Sequence, residues 1–523
     1  MTTRPRSSSI PSLADAQYAL HTARKQPARR IAAYTILAAF LGVFLILGFG
    51  SGNTKDWEGL EVIRGFPKFD RIEGDGIHTL TESDLKAGGK KRFIIVGDIH
   101  GMHGSFKKMM SSISYTPSKD HLIHVGDLLA KGPSSPAVLQ QLSSANVTGV
   151  RGNHDQKVIE WAAWIEWVVS HHGGRAWLKD MESKSEEDLE EMKKKHGKKW
   201  KIPDGWKFGG EHYWLARNLK SGEERYLSSL PLVLHLPDYH IFLVHAGILP
   251  LNPTIPLSSK HQPLSHVPGS LRAPHKKGRK ADSARFRRAA IDSEDNDEEA
   301  EKNKHHPRKP STEKELRTLQ ERMVLQTIPQ NTIPFNLLNM RSLERNSPVR
   351  TKKGRPWSEV WNSVIDRCKG FPEDAVQVAL TGEGLPDKDA NGEKREKTWW
   401  ETLVSSPGEI IDWDPEGDSA EHGWSRIPHK LPCHPSTVIY GHAAGRGLDV
   451  KDWSIGLDSG CVYGRRMTAM VLSENEEDLG VEGLGVEDGD DDEGVEVQVK
   501  KVKIGDGKLV GRLVSVKCPD VGA

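Results

Sequence analysis

Residues 121–133 read His-Leu-Ile-His-Val-Gly-Asp-Leu-Leu-Ala-Lys-Gly-Pro. The apolar half predicts a buried strand bounded by turn formers. The Gly126-Asp127 pair then places a carboxylate where that strand leaves the core. The same arrangement recurs four times: RFIIV ends in Gly97-Asp98-Ile99-His100-Gly101, VTGV leads into Arg151-Gly152-Asn153-His154-Asp155, IFLV into His245-Ala246-Gly247, and TVIY into Gly441-His442. Each run delivers Asp, His or Asn at its C-terminal end, where open α/β sheets place their ligand crevices. Apolar runs alternating with helical stretches predict an α/β domain with strands buried on both faces.

The residue types narrow the chemistry. Asp98, His100, Asp127, Asn153, His245 and His442 offer carboxylate, imidazole and amide oxygen, with no thiolate. That mixture suits zinc, manganese or ferrous iron, with cobalt or magnesium as further candidates, and six ligands sharing one carboxylate fit two ions better than one. Two divalent ions ~3.5–4 Å apart can polarise a phosphoryl oxygen and activate water for in-line displacement.

These motifs, in this order, resemble the metallophosphoesterase superfamily, which includes phosphoprotein phosphatases and bacterial diadenosine tetraphosphatase. The resemblance spans about Lys91 to Leu472. It implies a calcineurin-like β-sandwich flanked by helices. It also implies a first metal on Asp98, His100 and Asp127, and a second on Asp127, Asn153, His245 and His442, with Asp127 bridging. His154 matches the general acid, an imidazole able to protonate a leaving oxygen near neutral pH. Arg341 in NLLNMRS matches a phosphate-gripping arginine, and Asp458 in GLDSGC is expected to orient a metal-bound histidine. Phosphoprotein phosphatases read GDxVDRG and GNHE, whereas this chain reads GDLLAKGP and GNHD. Both departures resemble the diadenosine-tetraphosphatase-like branch, which includes zinc-dependent endopolyphosphatases of the yeast vacuole. The implied reaction is hydrolysis of phosphoanhydrides in long inorganic polyphosphate, without a nucleic-acid partner. Lys131 would offer a mobile point charge to a phosphate chain. Protein Ser/Thr phosphatase and dinucleoside polyphosphate or RNA-cap hydrolase are the alternatives, and an inactive membrane scaffold is a remote one.

The rest of the chain sets the context. With 523 residues, 28% charged, 50 Gly and 30 Pro, one catalytic domain with insertions is expected. The net charge of +1 averages distant acidic and basic segments and identifies no polyanionic partner. Residues 1–30 read as a disordered cytosolic tail, and Ile31–Gly50 carries no charge and follows Arg24, Lys25, Arg29 and Arg30. This predicts a single transmembrane anchor, with a cleaved signal peptide as the alternative, and a catalytic domain facing a lumen such as the vacuole's. A stem over 51–89 should precede a domain over 90–475, interrupted by a basic disordered insertion at 256–309. An acidic loop (476–494) and C-terminal strands (495–523) should follow. Thr312 with Glu315 predicts a helix start. Trp161, Trp164 and Trp167 recur at helical spacing and read as packing, with His171 and His172 at its edge. Four cysteines without CxxC form no zinc framework; one bridge is permitted, and Cys461 reads as a packed thiol. Asn146-Val-Thr148 is a glycosylation sequon.

Overall fold

The strand Arg92–Val96 runs through the middle of a six-stranded mixed sheet, between Arg466–Ser473 (antiparallel) and Asp120–His124 (parallel). Thr148–Gly149 continues the parallel side, and Leu509–Lys517 followed by Lys501–Ile504 extends the antiparallel side. A second six-stranded mixed sheet runs in the order Ile77–Thr79, Val233–Leu236, Ile241–Val244, Thr437–Tyr440, Ser454–Gly456, Asp449–Val450. Its strands Ile241–Val244 and Thr437–Tyr440 are parallel neighbours. Together these form an α/β fold, two mixed sheets flanked by helices. This computed structural model describes residues 74–196, 205–259, 261–269, 310–383, 429–480, 501–504 and 507–520, with a few isolated positions between them.

Strand periodicity builds the layers. Successive side chains of a strand point to opposite faces. Ile241 and Leu243 accordingly join Phe93, Ile95, Ile123 and Met470 in the core between the sheets. Phe242 and Val244 face the other way, packing with Val324, Leu325, Trp357 and Trp361 of the helices Glu313–Thr327 and Trp357–Ile365. Each such side chain contributes roughly 1.5–3 kcal/mol on burial. The helix Glu313–Thr327 starts as its sequence predicts, with Thr312 Oγ1 accepting the Glu315 N–H at 3.2 Å. The Glu315 carboxylate, however, reaches back to the N–H and hydroxyl of Ser311.

Chain clustering separates residues 67–166 with 202–523 from residues 1–66 with 167–201. In the smaller unit the described residues include the helices Gly174–Glu182 and Glu186–His196. Trp161 and Trp164, in the larger unit, are buried and meet edge to face.

Several expectations meet the structure at their edges. Within the stem, Ile77–Thr79 pairs with Val233–Leu236, so ordered strand begins before residue 90. Within the basic insertion, Leu257, Leu264 and Val267 are buried, whereas 271–309 lies outside the described residues. So does Ile31–Gly50; among the described residues no helix is long and apolar enough to cross a membrane. Cys461 is not a free core thiol: it is bonded to Cys518, and Cys368 to Cys433. In the first bridge, Cys518 follows Lys517, which lies opposite Arg466, and its N–H donates to the Arg465 carbonyl at 2.9 Å, while the turn Cys461–Tyr463 brings Cys461 back to it.

Candidate metal centre

Three parallel strands of the first sheet and two of the second point their C-terminal ends at one place. The loops that follow carry two overlapping groups: Asp98, His100 and Asp127, and Asp127, His245 and His442, each with ligand atoms within 4.8 Å of one another and fully buried. Asn153 Oδ1 completes the second group, 3.1 Å from His245 Nε2 and 2.9 Å from His442 Nδ1. The structure thus brings all six sequence-predicted ligands together, with Asp127 common to both groups.

The donor set itself calls for cations. His100 Nδ1 lies 3.2 Å from the Leu129 carbonyl, His245 Nδ1 2.8 Å from that of Val125, and His442 Nε2 3.2 Å from that of Asn339. A ring nitrogen that donates to a carbonyl leaves the other nitrogen with a lone pair. Those lone pairs face acceptors: His100 Nε2 is 3.4 Å from Asp127 Oδ2, and His245 Nε2 is 3.4 Å from Asp127 Oδ1. Acceptors converging in a buried space repel unless positive charge lies among them.

The titratable groups of the site act strongly on one another. Burial raises the Asp98 carboxyl well above the usual range, and Asp458 and Asp127 add to the effect. Burial acts the same way on Asp127, yet His245, His154 and His100 outweigh it and hold that carboxyl well below the usual range. For His245, burial alone would lower the imidazole, but Asp127 reverses this and raises it. With its two ligand groups sharing Asp127, the site fits two metal ions.

Local backbone geometry holds the ligands. Of eleven described non-glycine residues with positive φ, five lie here: His100 (46°), Asp127 (51°), Ala130 (71°), Lys131 (70°) and His442 (66°). Such strain persists only where the surroundings enforce it. Asp155 supplies part of that enforcement, its carboxylate accepting the N–H groups of Gly152 (3.0 Å), Leu128 (2.9 Å) and Leu129 (3.2 Å). Burial first, then Asp127, raises Asp155 to about 7. Gly441 is required by close approach, since a Cβ there would sit 2.1 Å from Asp98 Oδ1.

The remaining predicted residues stand around this floor. Lys131 Nζ lies 3.1 Å from His100 Nε2. Arg341 is half-buried, donating to the carbonyls of Arg350 (3.1 Å) and His442 (3.2 Å). Asp458 lines the same cavity of about 90 Å³, but accepts the Gly460 N–H at 3.1 Å. The ligand histidines are oriented by backbone carbonyls, so the role expected for Asp458 is filled by the main chain. His154 donates its backbone N–H to Asp127 Oδ1 at 2.9 Å. Burial pushes its imidazole down to about 3 against the pull of Asp127.

Sequence reasoning missed one partner. His212, from the helix Glu211–Arg217, places Nε2 2.8 Å from His154 Nδ1, with the rings stacked at 5.0 Å. Its neighbour Glu211 accepts the Lys131 N–H at 2.7 Å. Glu211-His212 lies 58 residues beyond His154 without a motif around it, so nothing in the local pattern marked it.

Residues 91–264 match the family model of calcineurin-like phosphoesterases. The chain is 28% identical over 157 residues to a symmetrical bis(5'-nucleosyl)-tetraphosphatase of Shewanella sp. (strain MR-4), covering 30% of this chain and 44% of that protein. It is 34% identical over 84 residues to serine/threonine-protein phosphatase 1 of Salmonella typhimurium, covering 16% of this chain and 39% of that protein. The chain thus spans less than half the length of these curated relatives. A crystal structure of a candidate diadenosine tetraphosphatase aligns at 19% identity and a TM-score of 0.33, over 76% of this chain and 92% of that one.

Proposed function

We propose that this chain hydrolyses phosphoanhydride bonds, with long inorganic polyphosphate as its substrate, cut internally. The observation that carries the reading is the pair of buried ligand groups sharing Asp127, beneath a mouth whose charged side chains at positions 131, 341 and 350 are all cationic. Asp98, His100 and Asp127 would hold one ion, and Asp127, Asn153, His245 and His442 the other. Such ions, zinc first among the candidates, supply charge stabilisation and a nucleophile at neutral pH.

The protein's own residues define the rest. Arg341, anchored through two carbonyls, presents a fixed guanidinium to phosphate oxygens. Lys131 presents a compact charge beside His100. His212 holds the His154 ring, so His154 can hydrogen-bond the bridging oxygen of the scissile bond. A phosphate leaving group has a second pKa of about 6 and departs with little proton help. An alkoxide is far more basic, its parent water having a pKa of about 15.7. Ala130, where the phosphatases carry an acid-orienting Asp, therefore suits an anhydride better than a phosphoserine. The two disulfides are compatible with an oxidising lumen, and support a catalytic part anchored through Ile31–Gly50 and facing such a compartment.

The test is hydrolysis by the full chain in detergent, loaded in turn with Zn²⁺, Mn²⁺, Co²⁺ and Mg²⁺. The substrates are long polyphosphate, dinucleoside tetraphosphate, capped RNA and a phosphopeptide. Shortening of polyphosphate to intermediate lengths is expected. Turnover of the phosphopeptide or dinucleotide alone would replace the reading with that of the corresponding relative.

A further inference from the structure

The metal cavity opens into a larger cleft of about 420 Å³. Arg341, Arg350, Ala444 and Tyr463 line both, so the two spaces share walls. The charged residues lining the cleft are Arg341, Arg350, Lys352 and Arg465, with no carboxylate among its lining residues.

These cations are positioned. The loop Ala443–Arg446 lies between them: Arg465 Nη2 donates to the Ala444 carbonyl at 2.6 Å. Lys352 Nζ lies so close to Gly445 that a Cβ there would be 2.1 Å from it. Arg446 Nη2 donates to the Arg341 carbonyl at 2.5 Å. Tyr463, 56% exposed, has Lys131 Nζ 5.7 Å and the Arg465 guanidinium 5.9 Å from its ring centroid. Among the described residues, none of the four cleft cations pairs with a carboxylate. Uncompensated charge of one sign, gathered in a cleft, concentrates the opposite sign there.

We propose that this cleft is a second anion subsite, which takes the phosphates next to the scissile group of a linear condensed phosphate. It rests on the phosphoanhydride reading and deepens it. A lone phosphate or phosphoserine occupies only the metal floor. Only a substrate carrying further phosphates reaches Lys352 and Arg465, which line the cleft and not the metal cavity, so the cleft makes chain length the basis of selection.

The experiment is calorimetric titration of the zinc-loaded full chain with orthophosphate and with imidotriphosphate, whose P–N–P links resist hydrolysis. Imidotriphosphate should bind about tenfold tighter or more, the return expected from charge-assisted contacts to the added phosphates. Lys352→Glu and Arg465→Glu, both at exposed positions, should each reduce that affinity ratio about tenfold, and Lys352→Arg should retain it. An unchanged ratio in both charge-reversed variants overturns the subsite, even if polyphosphate is hydrolysed. A reduced ratio in a protein that hydrolyses no polyphosphate keeps the subsite and discards the phosphoanhydride reading.

Discussion

Two buried clusters of carboxylate and histidine occupy this fold, and they behave in opposite ways. Around Glu321, His235 Nε2 and His240 Nδ1 each lie 2.7 Å from a carboxylate oxygen, and Ser436 Oγ donates to it at 3.2 Å. Each of these contacts joins a donor to the carboxylate, although His235 Nδ1 is buried without a hydrogen-bond partner. Around Asp127 the imidazoles have turned their donors outward to carbonyls and their lone pairs inward. The ligand atoms stand 3.4 Å from the carboxylate, too far for a good hydrogen bond. Strain does not separate the two, since His240 also has positive φ. What distinguishes the two is the separation of imidazole from carboxylate, 2.7 Å around Glu321 and 3.4 Å around Asp127.

The sharpest way to break that comparison is to remove one carboxylate from each. Asp127→Asn should lower turnover by about a thousandfold or more, on the scale of losing a principal source of transition-state stabilisation. Metal content should fall with it; elemental analysis beside a rate assay checks both, and retained metal would contradict the bridging role. Glu321→Ala should instead destabilise the fold by about 3–5 kcal/mol, as expected for breaking a buried charged network. Turnover per folded molecule should persist, which a urea melt read together with activity decides.

A smaller effect is expected from His212→Ala, which leaves the ligands alone and frees the His154 ring. The kcat should fall roughly tenfold, the lower end for loss of an orienting partner, with KM little changed. A rise in KM alone would remove the positioning role.

A pH effect follows from another buried histidine, outside both clusters. His124 is held at about 3 by burial, with Nε2 2.9 Å from the Tyr226 hydroxyl, which itself donates to the Val147 carbonyl. Its folded pKa lies below the unfolded value of about 6.5, so the unfolded chain binds more protons between the two. Stability should therefore decline as pH falls from about 6.5 towards about 3. His124→Gln should flatten that slope in denaturant melts at a series of pH values. The smallest change is expected from Ala130→Gly, which relieves a positive φ of 71° and should alter stability by only about 1 kcal/mol.

The fold class and ligand set were legible because they lie in short contiguous motifs, each an apolar run followed by its ligand. Even His442, beyond the 91–264 match, could be read from TVIY-Gly-His. Asp155, Asp458 and Cys461 were visible as residues but not as roles. Their partners are the N–H groups of Leu128 and Leu129, the N–H of Gly460 and the sulfur of Cys518, set by backbone paths and strand register. His212 was invisible, because a ring stacked on a residue 58 positions away leaves no local pattern. The cationic cleft was equally hidden, assembled from Arg341, the 350–352 turn and Arg465.

The sequence by itself determined which atoms can hold metals, since ligand chemistry is a property of side-chain types and a strand end is a property of local periodicity. Tertiary structure alone decided that carbonyls orient the histidines, and that four separated cations face one cleft. Those facts depend on distances between residues far apart in the chain, which packing sets and local sequence does not encode.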